Sequence, residues 1–352
     1  GAVLQAYALQ CQIEKLGYDV NIIDYRNRNI EKSYKLIKLS KNPIRCARTI
    51  LESIKYYKKN KKRFEIFNDF INKKLKLTKR YRSMNELKKH SPNMDIYITG
   101  SDQVWNYEIV GELSDAYTLN FGAKEVNRIS YAASIGNSEI KDEYKEKFKE
   151  KMPILNHISV REETAKRELK KLINKQIEVV LDPTLLLTKE EWNSKICNKE
   201  NLKEEYILAY VVKPNEEYRK IVNNLSERTG LKVIHFEKKN VYNHELRSAY
   251  AADPFEFVNL IKNAKYVVAT SFHATVFSVL YHKNFFIIPH INTGSRIINL
   301  LDKLDIKNRV FYKLEDFIKY DFESKINYEN VDKKLEEERK KSINFLKEAL
   351  KD

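Results

Sequence analysis

Short runs rich in Val, Ile and Tyr alternate with segments of helical periodicity along most of this chain. That alternation constrains the fold more than any other feature. Tyr18 to Tyr25, Asp95 to Thr99, Arg128 to Ser134, His157 to Arg161 and Ile177 to Leu181 read as strands in the first half. In the second half Tyr206 to Val212, Lys232 to Glu237, Tyr266 to Ala269 and Phe285 to Pro289 read the same way. The intervening runs carry helix punctuation: Gly17 and Gly230 stand at C-cap positions, and Asp253-Pro254 is an N-cap followed by Pro in the first turn. Strands separated by helices predict parallel sheets covered on both faces. The chain has 352 residues, about twice a ~150-residue single-domain prior. The expectation is a two-lobed α/β protein, with lobes over 1–184 and 185–352 and a charged terminal helix from about Val331 to Leu350. A parallel βαβ unit needs a strand before the opening helix, so a first strand is expected ahead of Gly1.

Charge narrows the partners. The formal net charge is +16, yet residues 31–90 hold 20 Lys/Arg against 5 Asp/Glu, and the rest holds 45 against 44. The basic stretch is an amphipathic helical insertion, punctuated by Tyr34, Leu36, Ile37, Ile50, Leu51, Ile54, Phe64, Phe67, Phe70 and Ile71 and interrupted near Pro43. A solvated face is its plainest reading. Docking on an anionic membrane surface is the functional one. No nucleic-acid motif accompanies the charge, so no nucleic-acid partner is expected. Cys11, Cys46 and Cys197 are too few and scattered for a disulfide framework or thiolate metal site, which favours a reduced, cytoplasmic setting. No run is long and apolar enough to span a bilayer, and none resembles a signal peptide.

Three strand ends carry polar residues where α/β folds place ligands. Gly100-Ser101-Asp102 follows the first, and Ser101 and Asp102 suit either a helix cap or a substrate hydroxyl. Arg161 closes the second, where a fixed cation needs an anion; a salt bridge to Glu162 or Glu163 would supply one. After the third comes Thr270-Ser271-Phe272-His273, which sets His273 at a helix N-terminus, where the dipole and oriented N–H groups favour an anion. The other histidines, His90, His157, His235, His244, His282 and His290, show no metal-ligand spacing, and no metal site is expected. GxGxxG, GxxxxGK, GxSxG and CxxC are all absent, which argues against simple dinucleotide, nucleoside-triphosphatase and serine-hydrolase readings.

Taken in order, several segments resemble the polysaccharide pyruvyl transferase family. They are Gly1 to Gln10 (GAVLQAYALQ), Thr99 to Asn106 (TGSDQVWN), Ser130 to Gly136 (SYAASIG), Ile158 to Glu163 (ISVREE), Leu181 to Thr184 (LDPT), Ala264 to Val268 (AKYVV) and Ser271 to Ser278 (SFHATVFS). The resemblance covers about residues 1–310 and leaves out the basic insertion and the terminal helix. It implies Rossmann-like lobes similar to the two-lobed glycosyltransferase-B architecture. It also implies transfer of a pyruvyl group from phosphoenolpyruvate to two sugar hydroxyls, giving a cyclic ketal in surface-polysaccharide assembly. No cofactor is implied beyond that donor substrate, and the acceptor sugar can be lipid-linked or nucleotide-linked. On this reading His273 is the acid, Asp102 the base or hydroxyl anchor, and Arg161 an anion clamp. Arg296, Ser271, Ser101, Gly100, Gln5 and Ser134 would contact substrate. Some members carry an Arg two residues before the His, where this chain has Ser271, so Arg296 or a first-lobe residue must supply that charge. A nucleotide-sugar glycosyltransferase, or an inactive sugar-binding scaffold on the same fold, is the alternative. The expected location is cytoplasmic, with peripheral attachment at the inner membrane face.

Overall fold

The computed structural model describes residues 1–27, 29–31, 36, 42–196, 202–212, 215–289 and 294–351. Tyr34, Ile37, Cys197, His290, Asn292 and Thr293 lie outside the described residues. The chain divides into two compact units. The N-terminal unit comprises Ala2–Lys35, Ile71–Leu186 and Leu335–Asp352. The C-terminal unit comprises Leu36–Phe70 and Leu187–Lys334, with Gly1.

In the C-terminal unit, β7 (Tyr206–Tyr210), β8 (Lys232–His235), β9 (Glu245–Ser248), β10 (Tyr266–Ala269) and β11 (Asn284–Ile287) form one sheet, all neighbours parallel. Its order is β11-β10-β7-β8-β9. The chain winds outward one way from β7 and then the other way from β10, so the winding reverses between their carboxyl ends. Such a switch point is where doubly wound sheets bind ligands. The middle strands are apolar throughout because helices cover both faces. Val267, Val268, Ile207 and Leu208 are fully buried.

The N-terminal unit holds a four-stranded parallel sheet in the order β3-β4-β5-β6: Ile96–Thr99, Asn127–Ala133, His157–Val160 and Ile177–Val179. A separate parallel ladder pairs β1 (Ile22–Tyr25) with β2 (Leu77–Tyr81). Between ladder and sheet lies a cavity of about 600 Å³, lined by Ile22, Ile23 and Tyr25 of β1, Ile96 and Ile98 of β3, and Leu9. The opening helix, Ala2–Lys15, buries Leu4, Ala8 and Ile13. It ends two residues before Gly17, whose φ of 91° is open to glycine at little cost.

Apart from Gly1, the units depart from the expected lobes at two places. Residues 36–70 of the basic insertion group with the C-terminal unit, and 335–352 of the terminal helix (Tyr328–Lys351) group with the N-terminal unit. The reason is packing. Phe70 meets Phe255 edge-on at 4.9 Å. At the other end Ser342 Oγ accepts from Leu181 N at 2.9 Å, and Ala349 O accepts from Asn127 Nδ2, also at 2.9 Å.

Candidate functional site

In the N-terminal unit all four strands of the main sheet deliver a polar residue at their carboxyl ends. After β3 the chain turns through Gly100, Ser101 and Asp102, and Asp102 adopts φ 80°. A non-glycine residue in that region is strained, with Asp among the better tolerated. What holds it is the neighbouring strand: Asp102 bridges Ala133, and its carbonyl accepts from Ser134 N at 3.0 Å. Strand β4 is itself irregular, with a register shift between Ser130 and Ala133 and Ala132 at φ 51°. A bulge of this kind re-aims the residues that follow it.

Ser134, the next residue, donates from Oγ to Glu162 Oε1 at 2.7 Å and accepts from Gly136 N. Gly136 sits at φ 72°, and a Cβ there would stand 2.3 Å from Gln103 Oε1, so the turn excludes a side chain twice over. Arg161 follows β5. Its Nη1 donates to Asp182 Oδ2 at 2.8 Å and to Ser101 Oγ at 3.3 Å, while Nη2 lies 3.6 Å from Asp102 Oδ1. Asp182 also accepts from Ser101 Oγ at 2.8 Å, and from the backbone N–H and hydroxyl of Thr184. The side chains of Arg161 and Asp182 are 2% and 0% exposed. Burial opposes the guanidinium charge, but Asp182, Asp102 and Glu162 more than offset it and hold Arg161 above its ordinary pKa.

This corrects two expectations. The partner of Arg161 is chiefly Asp182 rather than Glu162 or Glu163, and three carboxylates of the same unit surround its charge. Ser101 caps no helix; Asn106 caps the short helix Tyr107–Val110 instead. Asp182 was visible only as part of Leu181-Asp182-Pro183-Thr184, and its signal is an acidic residue closing an apolar strand. Gln5 is buried on the first helix and lines the cavity together with Gly100 and Ser101.

In the C-terminal unit the switch point is built by β7 and β10. Thr270 N donates to Tyr210 O at 3.1 Å, and Thr270 Oγ1 accepts from Val212 N at 3.0 Å. Ser271 is the N-cap residue of the helix Phe272–Leu280, and its carbonyl accepts from Thr275 Oγ1. His273 lies in the first turn, 7% exposed, with its ring perpendicular to Phe272 at 5.5 Å. Arg296, in the first turn of the helix Ser295–Lys303, places its guanidinium 5.9 Å from the same Phe272 ring. An imidazole, a guanidinium and a helix N-terminus therefore gather at the carboxyl end of β10. That combination suits an anion and a proton transfer beside it. Among the described residues no group of three His, Cys, Asp or Glu could hold a metal.

No curated protein is matched by the chain. Among solved structures, UDP-N-acetylglucosamine 2-epimerase from Rickettsia bellii is similar at TM-score 0.53 and 11% identity, over 98% of this chain and 92% of that one. UDP-GlcNAc 2-epimerase from Methanocaldococcus jannaschii, in complex with UDP-GlcNAc and UDP, gives TM-score 0.46 and 14% identity, over 95% and 89%. The first likeness shows a shared α/β fold and nothing of chemistry. The family model for polysaccharide pyruvyl transferase matches residues 1–292, a span that takes in every strand end described above. The chain belongs to the polysaccharide pyruvyl transferase family.

Proposed function

We propose that this protein transfers a pyruvyl group from phosphoenolpyruvate to two hydroxyls of a sugar, releasing phosphate and leaving a cyclic ketal. Family membership over 292 residues carries the reading. Protonated His273 gives its proton to the methylene carbon of the donor, which leaves an oxocarbenium-like centre at C2. One sugar hydroxyl adds there and loses its proton to a general base. Phosphate leaves with the C2–O bond, and the second hydroxyl closes the ring with loss of its proton. Arg296 meets the donor's anionic groups, the charge that Ser271 does not provide. Arg161 acts as a positioning residue that fixes the strained Asp102 turn through Asp182 and Ser101.

The acceptor in this reading is a surface-polysaccharide precursor carried on a lipid, used by an enzyme held peripherally at the inner membrane face. Two observations support that placement. Among the described residues no helix is long and apolar enough to cross a membrane, and the basic excess is confined to residues 31–90.

The test is phosphate release from phosphoenolpyruvate with a panel of lipid-linked and nucleotide-linked sugars. Release that depends on acceptor, with a product heavier by one pyruvate ketal, is expected. General acid catalysis is worth roughly 10²–10⁴-fold, so His273→Ala should slow release by about that factor. Undiminished release in His273→Ala would remove it as the acid.

A further inference from the structure

The basic insertion has two faces, and only one of them is accounted for by packing. In the helix Tyr57–Lys74, residues at three- and four-residue spacing turn toward the C-terminal unit. Asn60 Oδ1 accepts from Tyr250 OH at 3.0 Å. Arg63 donates to the Tyr250 carbonyl and lies 4.9 Å from both the Phe67 and Tyr250 rings. Phe70 is buried against Phe255. Lys238 sits over the rings of Tyr56 and Tyr250 at 5.8 and 5.7 Å. This face is anchored.

Beside this stripe lie apolar side chains that stay exposed. Leu51 and Ile54, at the end of the helix Pro43–Lys55, are 69% and 61% exposed, and Tyr57 and Phe64 on the next helix are 41% and 45% exposed. The same stretch, 51–64, also holds Lys55, Lys58, Lys61 and Lys62 with Glu52 as its single acidic residue, while Lys59 donates to the Lys238 carbonyl and Arg63 is anchored as above. A merely solvated charge run has no use for four large apolar side chains in water. A protein interface favours Arg and is depleted of Lys, the reverse of this patch. Lysines whose stems lie along apolar side chains while their ammonium groups reach outward suit a headgroup layer. The charge complementarity is with an anionic leaflet.

We propose that this outward face is a membrane-docking surface: Leu51, Ile54, Tyr57 and Phe64 enter the acyl boundary of an anionic bilayer, and the surrounding lysines meet its headgroups. The inference names the surface behind the peripheral placement above and is independent of the donor chemistry. The test is co-sedimentation of the whole chain with vesicles of phosphatidylcholine alone or mixed with phosphatidylglycerol. Binding is expected to the mixed vesicles and to weaken as salt is raised. The double variant Leu51→Ser/Ile54→Ser and the variant Phe64→Ser should each weaken it by about tenfold or more. Because these positions face outward, circular dichroism and melting temperature should stay as in the parent chain, which separates lost docking from lost fold. Equal binding to neutral vesicles, or parent-like binding by both variants, would overturn the proposal. So would a chain that ignores vesicles but changes oligomeric state with the variants, since the face would then join two copies. Phosphate release with the panel of lipid-linked and nucleotide-linked acceptors, run on the same samples, separates the two readings. Docking without release sinks the transferase, and release without docking sinks the surface.

Discussion

Asp182 is the residue on which the N-terminal strand ends depend. Its carboxylate takes the Arg161 guanidinium, the Ser101 hydroxyl and both donors of Thr184, so three strand ends meet on one buried side chain. Removing one partner of a buried ion pair leaves an uncompensated charge, at a cost of about 3–5 kcal/mol. Asp182→Asn should therefore lower the melting temperature by roughly 6–20 °C, at about 2–4 °C per kcal/mol for a unit of this size. Adding Arg161→Met to Asp182→Asn should recover part of the loss. If the double variant is no more stable than the single one, the buried charge is not what Asp182 is there to meet. This residue also shows where the sequence stopped being readable. Gly100, Ser101, Asp102 and Arg161 could be singled out because strand ends are where such folds put polar groups. Which anion met Arg161 could not, because Glu162 is adjacent in sequence whereas Asp182 arrives from the next strand. Backbone strain was equally invisible: nothing in the letters Ser-Asp-Gln sets Asp102 at positive φ, since the hydrogen bond to Ser134 across two strands does so.

Elements were legible in proportion to how apolar they are. The nine runs read as strands correspond to β1, β3 to β8, β10 and β11, often one to four residues shorter at the ends. β2 and β9 went unread. Both are edge strands, and their Lys79, Arg80, Glu245 and Arg247 are the charges that discourage an edge from pairing further. The insertion was legible as helix except over β2, which lies inside it as a strand, and where it packs was not legible, since that depends on Tyr250 and Phe255, about 190 residues away. A cavity of about 600 Å³ lies between β1 and β3. A short engineered extension of alternating Val and Thr fused ahead of Gly1 is expected to fill that space and pair with the facing strand edges. It should raise the melting temperature by several degrees, at about 2–4 °C per kcal/mol gained, and should slow amide exchange at Ile96 and Ile98. A Gly/Ser extension of the same length serves as the control. If both extensions behave alike, the cavity does not accept a strand.

At the scale of the molecule, the two units differ in how their carboxylates are held. Among the described residues, three partly buried carboxylates of the N-terminal unit have lowered pKa values despite burial that works the other way, and Asp142 at the surface is lowered by Lys145. Asp24 is lowered by hydrogen bonds from Arg80 and Arg26, Asp115 by Lys151 and Lys88, and Glu168 by Lys171 and the Ile140 N–H. In the C-terminal unit Glu217, near the surface, is held low by the Leu314 N–H and Lys220. A carboxylate whose folded pKa is depressed contributes stability that is fully present above its unfolded value, about 4. That contribution is lost as pH falls through the depressed folded value, because the unfolded chain binds the proton more readily. Acid should accordingly undo the N-terminal unit at a higher pH than the C-terminal one. The two tryptophans can report the units separately. Trp105 is buried in the first and donates to Tyr117 O at 2.9 Å, while Trp192 is buried in the second against Phe277. In Trp192→Phe the remaining fluorescence should change earlier on acid titration than in Trp105→Phe. Substituting Asp115→Asn should remove one of the pH-dependent contributions and make the Trp105 transition shallower. Coincident transitions in the two tryptophan variants would mean that the paired carboxylates do not set the acid limit. The buried Arg161 and Asp182 pair of the N-terminal unit would then be the next to substitute.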